Sequence, residues 1–178
     1  MRRCLSPLNT LWNGEPSPQS LQYVLEHDAT RLRFAVQFPA GASPHPQGRP
    51  GAFTAELWRW DVGELFIAGS TGRYIELNLS PTSAWWLQGF AAPRVEDASF
   101  SPWACEVRAL AGHSVEWSAS LPALEAYLGP AQQWCYNVTG ILNTPHYAFL
   151  SLATLPGAVP DFHQPASFLP LTGTEVII

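Results

Sequence analysis

The stretch Arg31-Leu32-Arg33-Phe34-Ala35-Val36-Gln37-Phe38 alternates between apolar and largely polar residues along its length. Leu32, Phe34, Val36 and Phe38 project to one side and Arg31, Arg33, Ala35 and Gln37 to the other. This is the period of two that a half-buried antiparallel strand needs. The same pattern returns at Val115, Trp117, Ala119 and Leu121, set against Glu116, Ser118 and Ser120. Working outward from these two, further strands are expected at 21–26, 63–68, 73–79, 85–90, 104–110, 133–142 and 147–152. The 13 glycines and 17 prolines punctuate the chain every few residues and keep such segments short. One short helix fits, over 122–128, with Ser120 or Leu121 near its start and Gly129 just past its end.

About nine short strands and a single helix point to an all-β fold, a two-sheet antiparallel β-sandwich of jelly-roll or immunoglobulin-like type, rather than an alternating α/β chain. The 178 residues suffice for one domain with a sizeable core and are too few for two ordinary ones. No boundary or internal repeat is visible, so 1–178 is read as a single domain. The stretch 39–50 holds Gly41, Pro44, Pro46, Gly48 and Pro50 and reads as an exposed loop. The stretch 13–20 reads as a second turn-rich segment.

With 47% hydrophobic and 13% charged residues, the composition runs opposite to that of a disordered chain. Fourteen acidic and nine basic residues give a net charge of −5, and nothing arginine-dense follows the Arg2-Arg3 pair, so no nucleic-acid partner is expected. Every basic residue is Arg, which removes Schiff-base and P-loop lysine chemistry. Cys4, Cys105 and Cys135 are odd in number and far apart, which suits reduced thiols better than a disulfide framework or a metal motif. The five histidines have no metal-ligand spacing, and no calcium loop is present. Pro7, Asn9, Asn13, Gly14 and Glu15 break any apolar run near the start, and no stretch is long enough to span a bilayer. A cytoplasmic protein with no membrane partner is expected. The sequon Asn137-Val138-Thr139 would then be idle.

Polar groups sit where packing alone would not choose them in the middle of the chain. In Tyr74-Ile75-Glu76-Leu77-Asn78-Leu79-Ser80, the residues Ile75, Leu77 and Leu79 fill a core, so Tyr74, Glu76, Asn78 and Ser80 share the other face. Glu64 stands in the otherwise apolar row Val62, Phe66 and Ala68, where a carboxylate is costly unless something donates to it. Trp58, Trp60, Trp85 and Trp86, half of the eight tryptophans, lie close by. An aromatic wall beside carboxylate, amide and guanidinium groups suits a sugar-like ligand, whose C–H faces are apolar and whose hydroxyls need partners. Asp161 lies two residues from His163 and is placed to orient its ring.

The series Leu57-Trp58, Glu64-Leu65-Phe66, Tyr74-x-Glu76-x-Asn78-Leu79-Ser80-Pro81, Trp86, Phe90 and Arg94, then Pro160-Asp161-Phe162-His163 and Ser167-Phe168, resembles the DOMON-like domains, which are related to the family-nine carbohydrate-binding modules. The resemblance spans about 21–171. It implies a β-sandwich whose more concave sheet holds a ligand, a sugar in the modules and haem in some DOMON relatives. It also implies a tryptophan that stacks on the sugar and a glutamate six positions later that binds its hydroxyls, matched here by Trp58 and Glu64, with Asn78 and Arg94 adding donors. The second sandwiching tryptophan of those modules has no counterpart; Phe162 and His163 stand near the C-terminus instead. The sole methionine is Met1, so a Met/His haem would have to use the first residue, and no cofactor is expected.

The reading is therefore a non-catalytic ligand-binding domain for a saccharide or similar small polar ligand, with Trp58, Glu64, Glu76, Asn78, Trp86, Arg94, Asp161 and His163 at the site. Two alternatives stand beside it: a sugar hydrolase using Glu64 and Glu76 as a carboxylate pair, and a module whose tryptophans contact a protein partner not identified by the sequence.

Overall fold

In a computed structural model, residues 5–143 and 145–171 are described. Cys4, the Arg2-Arg3 pair and Met1, all weighed above, lie outside them. Twelve strands and one helix are found among the described residues: β1 (Ser6–Thr10), β2 (Pro16–His27), β3 (Arg31–Gln37), β4 (Val62–Ala68), β5 (Tyr74–Leu79), β6 (Trp85–Ala92), β7 (Val95–Glu96), β8 (Cys105–Leu110), β9 (Ser114–Ser120), α1 (Leu121–Leu128), β10 (Cys135–Leu142), β11 (Ala148–Ser151) and β12 (Leu169–Pro170). One sheet runs β1-β2-β3-β9-β8. The other runs β11-β10-β4-β5-β6-β7, with β12 added beside β10. Every strand pairing is antiparallel, so the two-sheet sandwich stands as read.

Three departures have local causes. Only Leu8 of β1 is buried, which leaves no alternation to detect. β2 begins at Pro16, inside the segment expected to be turns, because pairing with β3 starts only at Gln22 and the earlier half, with Pro16 and Pro18, has a strand on one edge alone. β7 and β12 are two residues each and leave no periodic signal.

The alternation of β3 and β9 delivers Leu32, Phe34, Val36, Val115, Trp117 and Ala119 into the space between the sheets. There they meet Leu65, Ile67, Ile75, Leu77, Leu79 and Leu87 from the facing sheet. Trp117 and Trp134 are wholly buried here and serve as core. Gly63 and Gly140 lie opposite each other on β4 and β10, on this inner face. A Cβ at Gly63 would stand 2.7 Å from Val36, and one at Gly140 would stand 2.3 Å from Leu21, so both glycines let the sheets approach.

The larger sheet is also covered on its outer face, which is what positions the site. Leu57, Val62, Phe66, Tyr74, Phe90, Ile141, Phe162 and Phe168 form a second apolar cluster there. All six residues of β5 are buried as a result, so its polar face is not a solvated one. Asp61, itself fully buried, ties the loops at one end of the sheet. It accepts the Ser43 N–H at 2.7 Å through Oδ2 and the Asn143 N–H at 2.6 Å through Oδ1. The side chain of Asn137 is buried and bonded to Ser151 and the Ala153 N–H, so the folded chain hides the sequon. Among the described residues, no helix is long and apolar enough to cross a membrane.

Candidate functional site

Strand register decides what meets on the outer face. Across β10, β4, β5 and β6 one row reads Thr139, Glu64, Asn78 and Trp86, and the adjacent row reads Asn137, Phe66, Glu76 and Gln88. Glu64 and Glu76 are therefore diagonal neighbours on adjacent strands, with Asn78 between them. Thr139 Oγ1 donates to Glu64 Oε2 at 2.6 Å, and Asn78 Nδ2 donates to Glu76 Oε1 at 3.0 Å. Asn78 Oδ1, fully buried, has no hydrogen-bond partner. The two carboxyls keep 2% and 5% of their surface exposed. Burial first, and then the nearby Glu76 charge, pushes the Glu64 pKa well up; burial also raises that of Glu76, against the opposing pull of the Asn78 amide and the Arg94 charge.

The segment around 153–168 builds one wall. Asp161 Oδ1 accepts the His163 N–H at 3.0 Å, and Gln164 Nε2 donates to the carbonyls of Pro156 and Asp161. Phe162 and Phe168 then pack on Phe66, with ring centroids 6.3 and 5.9 Å away. This seats His163 between Tyr74 and Glu76. The Arg94 N–H donates to Tyr74 Oη at 3.0 Å, Tyr74 Oη lies 2.8 Å from His163 Nδ1, and His163 Nε2 lies 3.5 Å from Glu76 Oε2. With Tyr74 donating to Nδ1, the ring proton sits on Nε2 and faces the Glu76 carboxyl. Burial and the Arg94 charge lower the His163 pKa to about 4, so the contact with Glu76 is that of a neutral imidazole and not an ion pair. Burial raises the Tyr74 pKa to about 12. Asp161 thus holds the backbone of the turn and pairs with Arg94 at 2.8 Å, whereas Tyr74 holds the ring; the role expected of Asp161 is corrected accordingly.

The other wall is the short turn Leu57–Arg59. Leu57 is buried and anchors it, leaving Trp58 48% exposed at the rim with the Arg59 guanidinium 5.1 Å from its ring centroid. Glu56 and Arg94, on opposite walls, are two of four non-glycine residues with positive φ among the described residues, at 60° and 61°. Such a conformation costs about 1–3 kcal/mol and persists where surrounding contacts enforce it.

Between the walls lies a cleft of about 660 Å³. Seven of the eight residues singled out from sequence line it: Trp58, Glu64, Glu76, Trp86, Arg94, Asp161 and His163. Asn78 lies beneath the floor and bonds to Glu76 instead. Thr139 and Tyr74 were missed as site residues. Tyr74 carried the signal of sharing a face with Glu76, but Thr139 becomes visible only through the pairing of β10 with β4. The donor set does not fit haem, because the cleft's histidine is held by Tyr74 through Nδ1, its Nε2 faces the Glu76 carboxyl at 3.5 Å, and two buried acids occupy the floor. Among the described residues, no group of three His, Cys, Asp or Glu is arranged to hold a metal.

No family model matches the chain, and no curated protein sequence matches it. Among solved structures, the crystal structure of a protein from Bacteroides uniformis ATCC 8492, described as a "putative carbohydrate-binding protein", is similar with a TM-score of 0.66 and 17% identity. The match covers 94% of this chain and 84% of that one. At that identity the likeness is one of fold: this chain has the β-sandwich fold seen in that protein.

Proposed function

We propose that this chain is a non-catalytic binding domain for a saccharide, held in the cleft on the outer face of the larger sheet. The observation that carries the reading is the pairing of a half-exposed indole at the rim with two buried carboxyls on the floor, 48% exposure at Trp58 against 2% at Glu64. A pyranose laid on Trp58 would place its hydroxyls toward acceptors that have few donors of their own. The resemblance to DOMON-like domains and family-nine modules supports the same assignment through the Trp58 and Glu64 spacing. The description of the structural neighbour from Bacteroides uniformis agrees with it in kind.

A glycan array followed by calorimetry tests the reading. Binding of at least one saccharide that is lost in both Trp58→Ala and Glu64→Gln is the expected result, and full retention in both variants refutes it. The diagonal placement of two buried acids on adjacent strands also favours a second reading, a glycosidase pair that divides acid and base roles. Release of nitrophenol from chromogenic glycosides, abolished by Glu76→Gln, would establish that reading in place of simple binding.

A further inference from the structure

The charge balance of the cleft carries more than hydroxyl recognition. Its lining holds five carboxylates, Glu56, Glu64, Glu76, Glu96 and Asp161, against one guanidinium, Arg94. That guanidinium is already committed to Asp161 at 2.8 Å, and Glu56 pairs with Arg59 at 2.9 Å outside the lining set. No arginine lies within ion-pair distance of Glu64, Glu76 or Glu96 among the described residues. His163 is neutral near pH 7 and brings no charge.

Two buried acids that feel each other cannot both ionise without a compensating cation. Beneath the floor, between Glu64 and Trp86, the acceptor Oδ1 of Asn78 is fully buried and unpartnered, so Asn78 has no second polar partner there. Trp86 adds aromatic surface, which attracts cations, as Trp58 already does with the Arg59 guanidinium 5.1 Å from its ring centroid. An anionic sugar would meet five acidic side chains and one guanidinium here, whereas an ammonium lets both acids of the floor ionise, which they cannot do alone.

We infer that the cleft selects a saccharide bearing an ammonium group, an amino sugar whose free amine sits over Glu64 and Glu76 with its ring against Trp58. This rests on the saccharide reading and narrows its ligand class. An ammonium supplies three donors and one positive charge in a single group, which is what the paired acids lack.

The test is calorimetric titration at neutral pH, where protons do not already neutralise both acids, with three oligomers of equal length: glucosamine, N-acetylglucosamine and glucose. The inference expects the glucosamine oligomer to bind about tenfold or more tightly than the other two, a difference of about 1.4 kcal/mol. That preference should shrink with added salt and vanish in the Glu64→Gln/Glu76→Gln double variant. Equal binding of all three oligomers overturns the inference and leaves the saccharide reading standing. Binding of a simple diamine such as putrescine, with none of the oligomers bound, overturns the saccharide reading instead, and no binding by any probe overturns both.

Discussion

Trp58 is the residue at which stability and function separate most cleanly. Its ring is half in water, and its backbone turn is anchored by the neighbouring Leu57, which is 1% exposed. Trp58→Ala is therefore expected to change unfolding free energy by no more than about 0.5 kcal/mol while removing saccharide binding; urea titration and calorimetry on the same sample check both halves. Glu64 behaves in the opposite way. A carboxyl whose folded pKa lies above its ordinary 4.5 binds more protons folded than unfolded, so its ionisation draws stability away as pH rises beyond that value. His163, lowered from 6.5 to about 4, acts oppositely and only between those limits, adding stability as pH rises through them. Above 6.5 the acids act alone, and unliganded stability should fall from neutral into mildly alkaline solution. Glu64→Gln should flatten that fall and raise the melting temperature at alkaline pH; an unchanged slope would show that Glu64 is not the acid responsible.

Among the elements, β4 carries the most information per residue. Its inner face reads Gly63, Leu65 and Ile67, and its outer face reads Val62, Glu64 and Phe66. Gly63→Ala would drive a methyl group to 2.7 Å from the β-branched Val36, whose side chain has little rotamer freedom, and is expected to cost about 1–3 kcal/mol in urea denaturation. The segment leading into β4 is held by Asp61, and Asp61→Ala would leave the half-buried amides of Ser43 and Asn143 without their acceptor. A loss of about 2–4 kcal/mol is expected by the same measurement, with the loop 39–50 becoming faster in hydrogen exchange.

The sequence made β3, β4, β5 and β9 legible because each buries one continuous row against the other sheet, a cause that leaves a period of two. It left β1, β7 and β12 hidden, since edge segments with one buried residue or none carry no such period. The acid at position 64 was legible as an intruder in an apolar row. Its donor, Thr139, lies 75 residues away and is defined by register, a property of the sheet that no local pattern records.

At the scale of the whole molecule, one sheet serves two layers: its inner face packs the sandwich core, and its outer face holds an aromatic cluster that opens into the cleft. Binding and folding are thereby coupled. A ligand that compensates the buried acids should raise the melting temperature, and the rise should be larger in alkaline than in mildly acidic solution, where the acids are already neutralised by protons. Differential scanning fluorimetry across pH with the best array ligand reads this directly, and a pH-independent shift would uncouple the ligand from the acid pair.

The most direct measurement is a crystal structure of the protein with the saccharide that the array selects. The sugar ring is expected against the indole of Trp58, with polar groups hydrogen-bonded to Glu64 and Glu76; a saccharide seated elsewhere on the molecule, with the cleft between Trp58 and His163 empty, would contradict the assignment.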